Sequence, residues 1–209
     1  MKQLTITTDQ QSSQPFAEVI ESFPEWYTAY CWQWNKIPHL GSLVTVQTDS
    51  WTTFGIVATI SLGSNDPSRI PFAYQKTEAE LLAQHPEIFE LLKTSFGVIV
   101  VGYKDISNKK IQSLLPPTPN KIHSFVSQAT PEQHEAFFST HDYLCLLFAF
   151  AQRLPNLDEL LLAILRNLSN QKLLSRQNVE EFCQIFTLLT GNEYRRLKLF
   201  LRRVEHILE

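Results

Sequence analysis

The sequence predicts an α+β chain, with a small β-barrel carrying short inserted helices over residues 1–128 and an α-helical domain over 129–209. Three observations predict it. Short runs rich in β-branched and aromatic residues, bounded by Gly, Pro, Asn and Asp, fill the first half. Beyond Thr130 the apolar spacing switches from two to three and four. Between these regimes, Leu115-Pro116-Pro117-Thr118-Pro119 is too proline-rich for a helix or a central strand and reads as a stiff extended connector.

The elements follow in order. Phe16 to Ser22 alternates Ala17 and Val19 against polar neighbours, as a half-buried strand does. After Pro24, Trp26 to Asn35 spaces Trp26, Tyr30, Trp32 and Trp34 evenly, which on a pleated strand places all four rings on one face. Pro38 and Gly41 mark a turn before the Val44 strand, and Asp49-Ser50 begins a hairpin into a strand whose Gly55 suggests a bulge. Leu62 to Pro71 is nearly all turn formers and is expected to be an exposed loop. Thr77 and Glu80 form a capping box, and Pro86 can occupy the first turn of a second short helix. Phe96 to Tyr103 is a continuous β-branched run of the kind buried on both faces, hence a central strand, and Ile122 to Val126 supplies the last one.

The helical region opens at Thr130-Pro131-Glu132-Gln133, a capping box with proline at the first helical position. Asn156 and Ser175 cap further amphipathic helices, and Gly191 terminates the second of these. In the last helix, Tyr194, Leu197, Leu201, Val204 and Leu208 form an apolar stripe opposite Arg195, Lys198, Arg202 and Arg203, with only Leu199 breaking the pattern.

Composition narrows the function classes. With 209 residues and 44% hydrophobic composition the chain can bury a sizeable core, divided between two small domains. Eighteen Lys plus Arg against 21 Asp plus Glu give a net charge of −3, so no global attraction to nucleic acid or anionic membrane exists. The widely spaced Cys31, Cys145 and Cys183 sit in apolar runs, which excludes a disulfide framework and reads as three buried thiols in a reducing compartment. No signal-type leader and no apolar run of about 20 residues is present, so a cytoplasmic, membrane-free location is expected.

Ala17-Glu18-Val19-Ile20-Glu21, Gly41-Ser42-Leu43-Val44-Thr45-Val46 and Phe54-Gly55-Ile56-Val57 together resemble the HAS barrel. That module stands at the N-terminus of HerA-type DNA-translocating ATPases and of ATP synthase catalytic-ring subunits. The layout with a helical tail also resembles stand-alone HAS-barrel proteins of photosynthetic bacteria, a type of unassigned function that lacks the ATPase domain. The resemblance implies a barrel that serves ring contacts or partner docking. The motor's signature is missing: none of the six glycines belongs to a phosphate-wrapping loop ending in Gly-Lys-Ser or Gly-Lys-Thr.

No catalytic residue, metal site or cofactor is therefore expected. The six histidines show no zinc-type spacing; the polar groupings that invite an acid–base role are His134 and Asp142 near His141, and a pocket that would join His123, Asp142 and His141. The expected function is a non-catalytic protein-interaction or assembly module. Its candidate contacts are Trp26, Tyr30, Trp32 and Trp34 on the barrel, Asp66 and Arg69 in the proline-flanked loop, and Arg195, Lys198, Arg202 and Arg203 on the last helix. The alternative is weak nucleic-acid binding through the aromatic face and the basic helix, and a monomer or small homo-oligomer is expected.

Overall fold

A computed structural model describes residues 14–66, 68, 71–107, 110–191 and 193–208. Seven strands, β1 (Pro15–Ser22), β2 (Trp26–Cys31), β3 (Leu43–Gln47), β4 (Trp51–Ser64), β5 (Leu92–Asp105), β6 (Ile111–Gln112) and β7 (Phe125–Gln128), form one antiparallel sheet in the order β2-β1-β7-β3-β4-β5-β6. A further β2–β5 pairing, running from Trp26↔Ile99 to Tyr30↔Ser95, closes six of them into a barrel and leaves the two-residue β6 appended to β5. The bulge expected at Gly55 is present, as a register shift between Phe54 and Gly55, and a second shift lies between Val57 and Thr59. Such bulges sharpen the local bend that a narrow barrel needs.

Two helices, α1 (Glu78–Gln84) and α2 (Glu87–Glu90), interrupt the strands where expected, and the Thr77–Glu80 capping box is formed in both directions. After β7 come α3 (Pro131–Phe138), α4 (Tyr143–Ala149), a single 3-10 turn at Ala151–Arg153, α5 (Leu157–Asn170), α6 (Arg176–Leu189) and α7 (Tyr194–Leu208). Thr130, Asn156 and Ser175 cap α3, α5 and α6 through their side chains, and Gly191 ends α6 at a φ of 65°.

Two boundaries and one burial differ from the sequence reading. Leu62, Gly63 and Ser64 are not loop: they stand opposite Thr94, Lys93 and Leu92, because β5 begins early enough to carry the antiparallel register past them. Phe125, not Ile122, opens β7, since residues 121–124 form a turn with His123 at a φ of 69° and Ser124 N–H donating to the Lys121 carbonyl. Cys145 is exposed on α4; only Cys31 is buried and Cys183 lies between. Its apolar neighbours face inward while the thiol occupies the outer side of a short helix.

The apolar residues divide into two cores. Ala17, Val19, Tyr27, Ala29, Val44, Val46, Val57, Phe96, Val98, Val100 and Val126 fill the barrel lumen. Leu43, Phe54, Ile56, Ile99 and Val101 point from the same strands out of the barrel, into a second core with α3 to α7. The wall β3-β4-β5 is thus buried on both faces, as the unbroken apolar run of β5 implies. Phe54 stacks on Phe137 of α3 at 5.5 Å, and Phe182, Phe186 and Phe200 form a ring stack linking α6 to α7.

Helix α5 is seated directly on the barrel at Gly41. This residue has a φ of 75°, donates its N–H to the Val57 carbonyl, and lies so close to α5 that a Cβ would sit 2.7 Å from Ile164 N. Asn167 Nδ2 donates to the neighbouring Leu40 carbonyl at 2.9 Å. Gly41→Ala therefore meets both a left-handed backbone and a backbone collision, and urea unfolding should show a loss of about 2–4 kcal/mol. An unchanged midpoint would contradict this seating.

Candidate functional site

The four aromatic residues do not share one face. β2 ends at Cys31, Trp32 N–H still donates to the Phe16 carbonyl of β1, and the chain then turns, with Lys36 N–H donating to the Gln33 carbonyl. Trp26 and Tyr30 remain on the outer side of β2, where Trp26 stacks on Phe23 at 4.8 Å and Tyr30 receives Lys93 Nζ at 3.2 Å. Trp32, 52% exposed, donates its indole N–H to Glu18 and meets Phe125 edge-on at 5.2 Å. Trp34 packs against Phe89 of α2, while its carbonyl accepts from Thr94. The rings are spread over separate neighbourhoods, so no continuous stacking platform is formed.

Asp66 is engaged in its own turn, accepting from the N–H and hydroxyl of Ser68 at 2.9 and 2.6 Å. Arg69 lies outside the described residues. His123 and His141 stand in different surroundings: His123 bonds Glu18 on the barrel exterior, whereas His141 is buried beside Tyr143 and Phe182, with Glu181 3.8 Å away. Among the described residues, no group of three or more His, Cys, Asp or Glu could hold a metal ion. No helix of the described residues is long and apolar enough to cross a membrane.

The last helix is where the predicted residues do come together. Val204 and Phe200 are buried, with Leu197 and Ile207 partly so, in the core shared with α5 and α6, while Leu201 is half-buried beside Lys198 and Arg202. Arg195, Lys198 and Arg202 lie exposed on the opposite side, at the three- and four-residue spacing that aligns them along one stripe. None has an ion-pair partner among the described residues. Tyr194 and Leu199, 71% and 65% exposed, flank the stripe. The exposure of Tyr194 corrects the sequence reading, which assigned it to the buried side; as the first residue of α7 it precedes the turn that meets α5.

Arg203 behaves differently from the other three. It pairs with Glu159 at 2.6 Å, and its neighbour on the same flank, Arg196, makes a bidentate contact with Asp158 at 2.6 and 3.1 Å. Both acids lie in the first turn of α5, where the helix dipole also favours negative charge. The Asp158 hydrogen bond raises the Arg196 pKa, and the Arg203 bond holds the Glu159 carboxyl below its ordinary range. Two of the five Lys and Arg residues of α7 are thus structural, clamping it to α5. The sequence signal for this clamp was the Asp158-Glu159 pair beside the Asn156 cap, but helical spacing alone does not say which helix faces which.

No protein-family model matches the chain, and no curated protein matches it.

Two buried histidines give the helical layer a pH dependence. Burial lowers the pKa of His134 and of His141 below 6.5, against the raising effect of backbone bonds on both and of Glu181 on His141. The unfolded chain therefore binds more protons below about pH 6.5, and stability is lost as the pH falls from there toward the folded values. Above about pH 7.5 both rings are essentially neutral in either state and contribute no slope. Urea midpoints should drop between about pH 7.5 and about pH 5.5, each histidine adding a slope of at most about 1.4 kcal/mol per pH unit. The drop should shrink in His134→Gln and His141→Gln, and an equal drop in both variants would contradict the assignment.

Proposed function

We propose that this chain is a non-catalytic docking module that binds an acidic protein surface through the outer face of α7. The observation that carries the reading is the division of labour among the basic residues. Arg196 and Arg203 are neutralised by Asp158 and Glu159, whereas Arg195, Lys198 and Arg202 stay solvent-facing beside Tyr194 and Leu199, with no ion-pair partner among the described residues. Exposed tyrosine, leucine and arginine on one rigid helix are a poor solution for a purely solvated face, and tyrosine and arginine are the residue types that concentrate binding energy at interfaces. The resemblance to HAS-type barrels, which serve ring contacts and partner docking, supports the same reading.

A nucleic-acid partner is the second reading, favoured by the same three cations. Three neutralised phosphates would give a shallow salt dependence and weak affinity, and the dispersal of Trp26, Tyr30, Trp32 and Trp34 removes the stacking surface that would strengthen it.

The test compares the full chain with its Arg195→Glu/Lys198→Glu/Arg202→Glu variant. As baits in the native cell extract, the unaltered chain should retain a discrete acidic protein, and the variant should lose at least about tenfold of it. Equal recovery by both, or recovery of no protein, would overturn the proposal. Tight, salt-sensitive binding of single- or double-stranded DNA or RNA by the unaltered chain would favour the second reading instead.

A further inference from the structure

The barrel is closed, yet one of its strands outruns its neighbour. β4 pairs with β3 only from Thr52 to Ile56, and beyond that Val57 exchanges bonds with Gly41 and Ser42. From Thr59 to Ser64 it pairs with β5 alone, and among the described residues its other edge carries no strand. Asn65 N–H donates to the Leu91 carbonyl across β5 at 2.6 Å, which sets the alternation: residues 59, 61 and 63 turn their backbone groups toward β5, and Ile60, Leu62 and Ser64 turn theirs to the open side. Leu62 is 51% exposed there. An exposed edge of this length, with no proline or lysine of its own, is a template for another strand.

The same residues border a groove. Ala58, Thr59, Ile60 and Ser61 form one side of a cavity of about 340 Å³, whose far wall is Phe150 and Leu154 of the segment after α4. Its floor is deepened at Gly97, where a side chain would strike Thr59 Oγ1 at 2.5 Å. The cavity is mostly apolar, and Arg153 stands at its rim over the Phe150 ring, with no ion-pair partner among the described residues. Apolar walls of this size with one convergent charge suit a single apolar side chain next to a carboxylate.

We propose that the open edge of β4 receives an extended peptide segment of a partner protein, added as a strand along Ile60 to Ser64. One apolar side chain of that segment enters the groove under Phe150 and Leu154, and an adjacent acidic side chain pairs with Arg153. Main-chain bonds to Ile60, Leu62 and Ser64 supply affinity, and the groove and Arg153 supply selectivity. The proposal rests on the reading of the chain as a docking module and adds a second contact surface to α7.

The test uses the full chain and a displayed library of random nine-residue peptides, from which one enriched peptide is labelled and titrated by fluorescence anisotropy. Enriched sequences should alternate β-branched or aromatic residues with polar ones and carry an acid. Leu62→Pro removes an outward N–H without breaking the β4–β5 ladder, and Arg153→Glu reverses the rim charge; each should weaken binding at least about tenfold, while the α7 triple variant should not. N-methylation of alternate peptide residues should abolish binding to the unaltered chain, a reading that holds even where Leu62→Pro fails to fold. No enrichment, binding indifferent to Arg153→Glu and to N-methylation, or a dimer of the chain that Leu62→Pro dissolves would each overturn the proposal. Partner capture that depends on α7 in the face of such a result would leave the docking reading standing, and loss of both would remove it.

Discussion

The constraint on which the rest of this structure depends is the double burial of the β3-β4-β5 wall. Side chains alternate across each strand, so Val98 and Val100 of β5 enter the lumen while Ile99 and Val101 enter the helical core. A strand built this way cannot be exposed on either side without stranding apolar surface at roughly 25 cal/mol per Å². The helical layer is accordingly part of what stabilises the barrel, and the barrel is the surface on which the helices are organised. Gly41 makes the contact close enough for α5 to lie backbone to backbone on the turn that precedes β3.

That arrangement decides which surfaces remain for a partner. The lumen is filled by side chains, led by the fully buried Tyr27, whose hydroxyl pKa is driven upward by desolvation. The wall is covered by α3 to α7, with the inner flank of α7 held to α5 by Arg196 and Arg203. Outside these contacts lie the outer face of α7 and the overhanging end of β4. One offers charge with flanking apolar groups, the other backbone hydrogen bonds beside an apolar groove. Under the two docking proposals they would hold different parts of a partner, and a protein engaged at both would be bound with the gain in effective concentration that linked sites confer.

Much of the fold was legible because local chemistry and global structure agree. The capping boxes at Thr77 and Thr130 and the caps at Asn156 and Ser175 each mark a helix start, since a side chain there satisfies an otherwise orphaned N–H. The β-branched run of β5 announced burial on both faces. What failed was decided by pairing at long range. Nothing local to Leu62-Gly63-Ser64 reveals that Leu92 to Thr94 will lie opposite, and nothing local to Trp34 reveals that β2 loses its neighbours after Cys31. Cys145 misled because an apolar neighbourhood in sequence spans all sides of a short helix. Of the candidate contacts, the basic helix was legible from its periodicity; the groove at Arg153 was not, because it is assembled from β2, β4, β5 and the turn after α4.

Native-state hydrogen exchange on the full chain tests the shared wall most directly. If the wall joins barrel and helices into one folding unit, amides of Ile99 to Val101 and of Leu161 to Leu165 exchange only through the same global opening, with equal free energies and equal denaturant dependence. Exchange of the α5 amides through a separate, lower-energy opening that leaves β5 protected would contradict it.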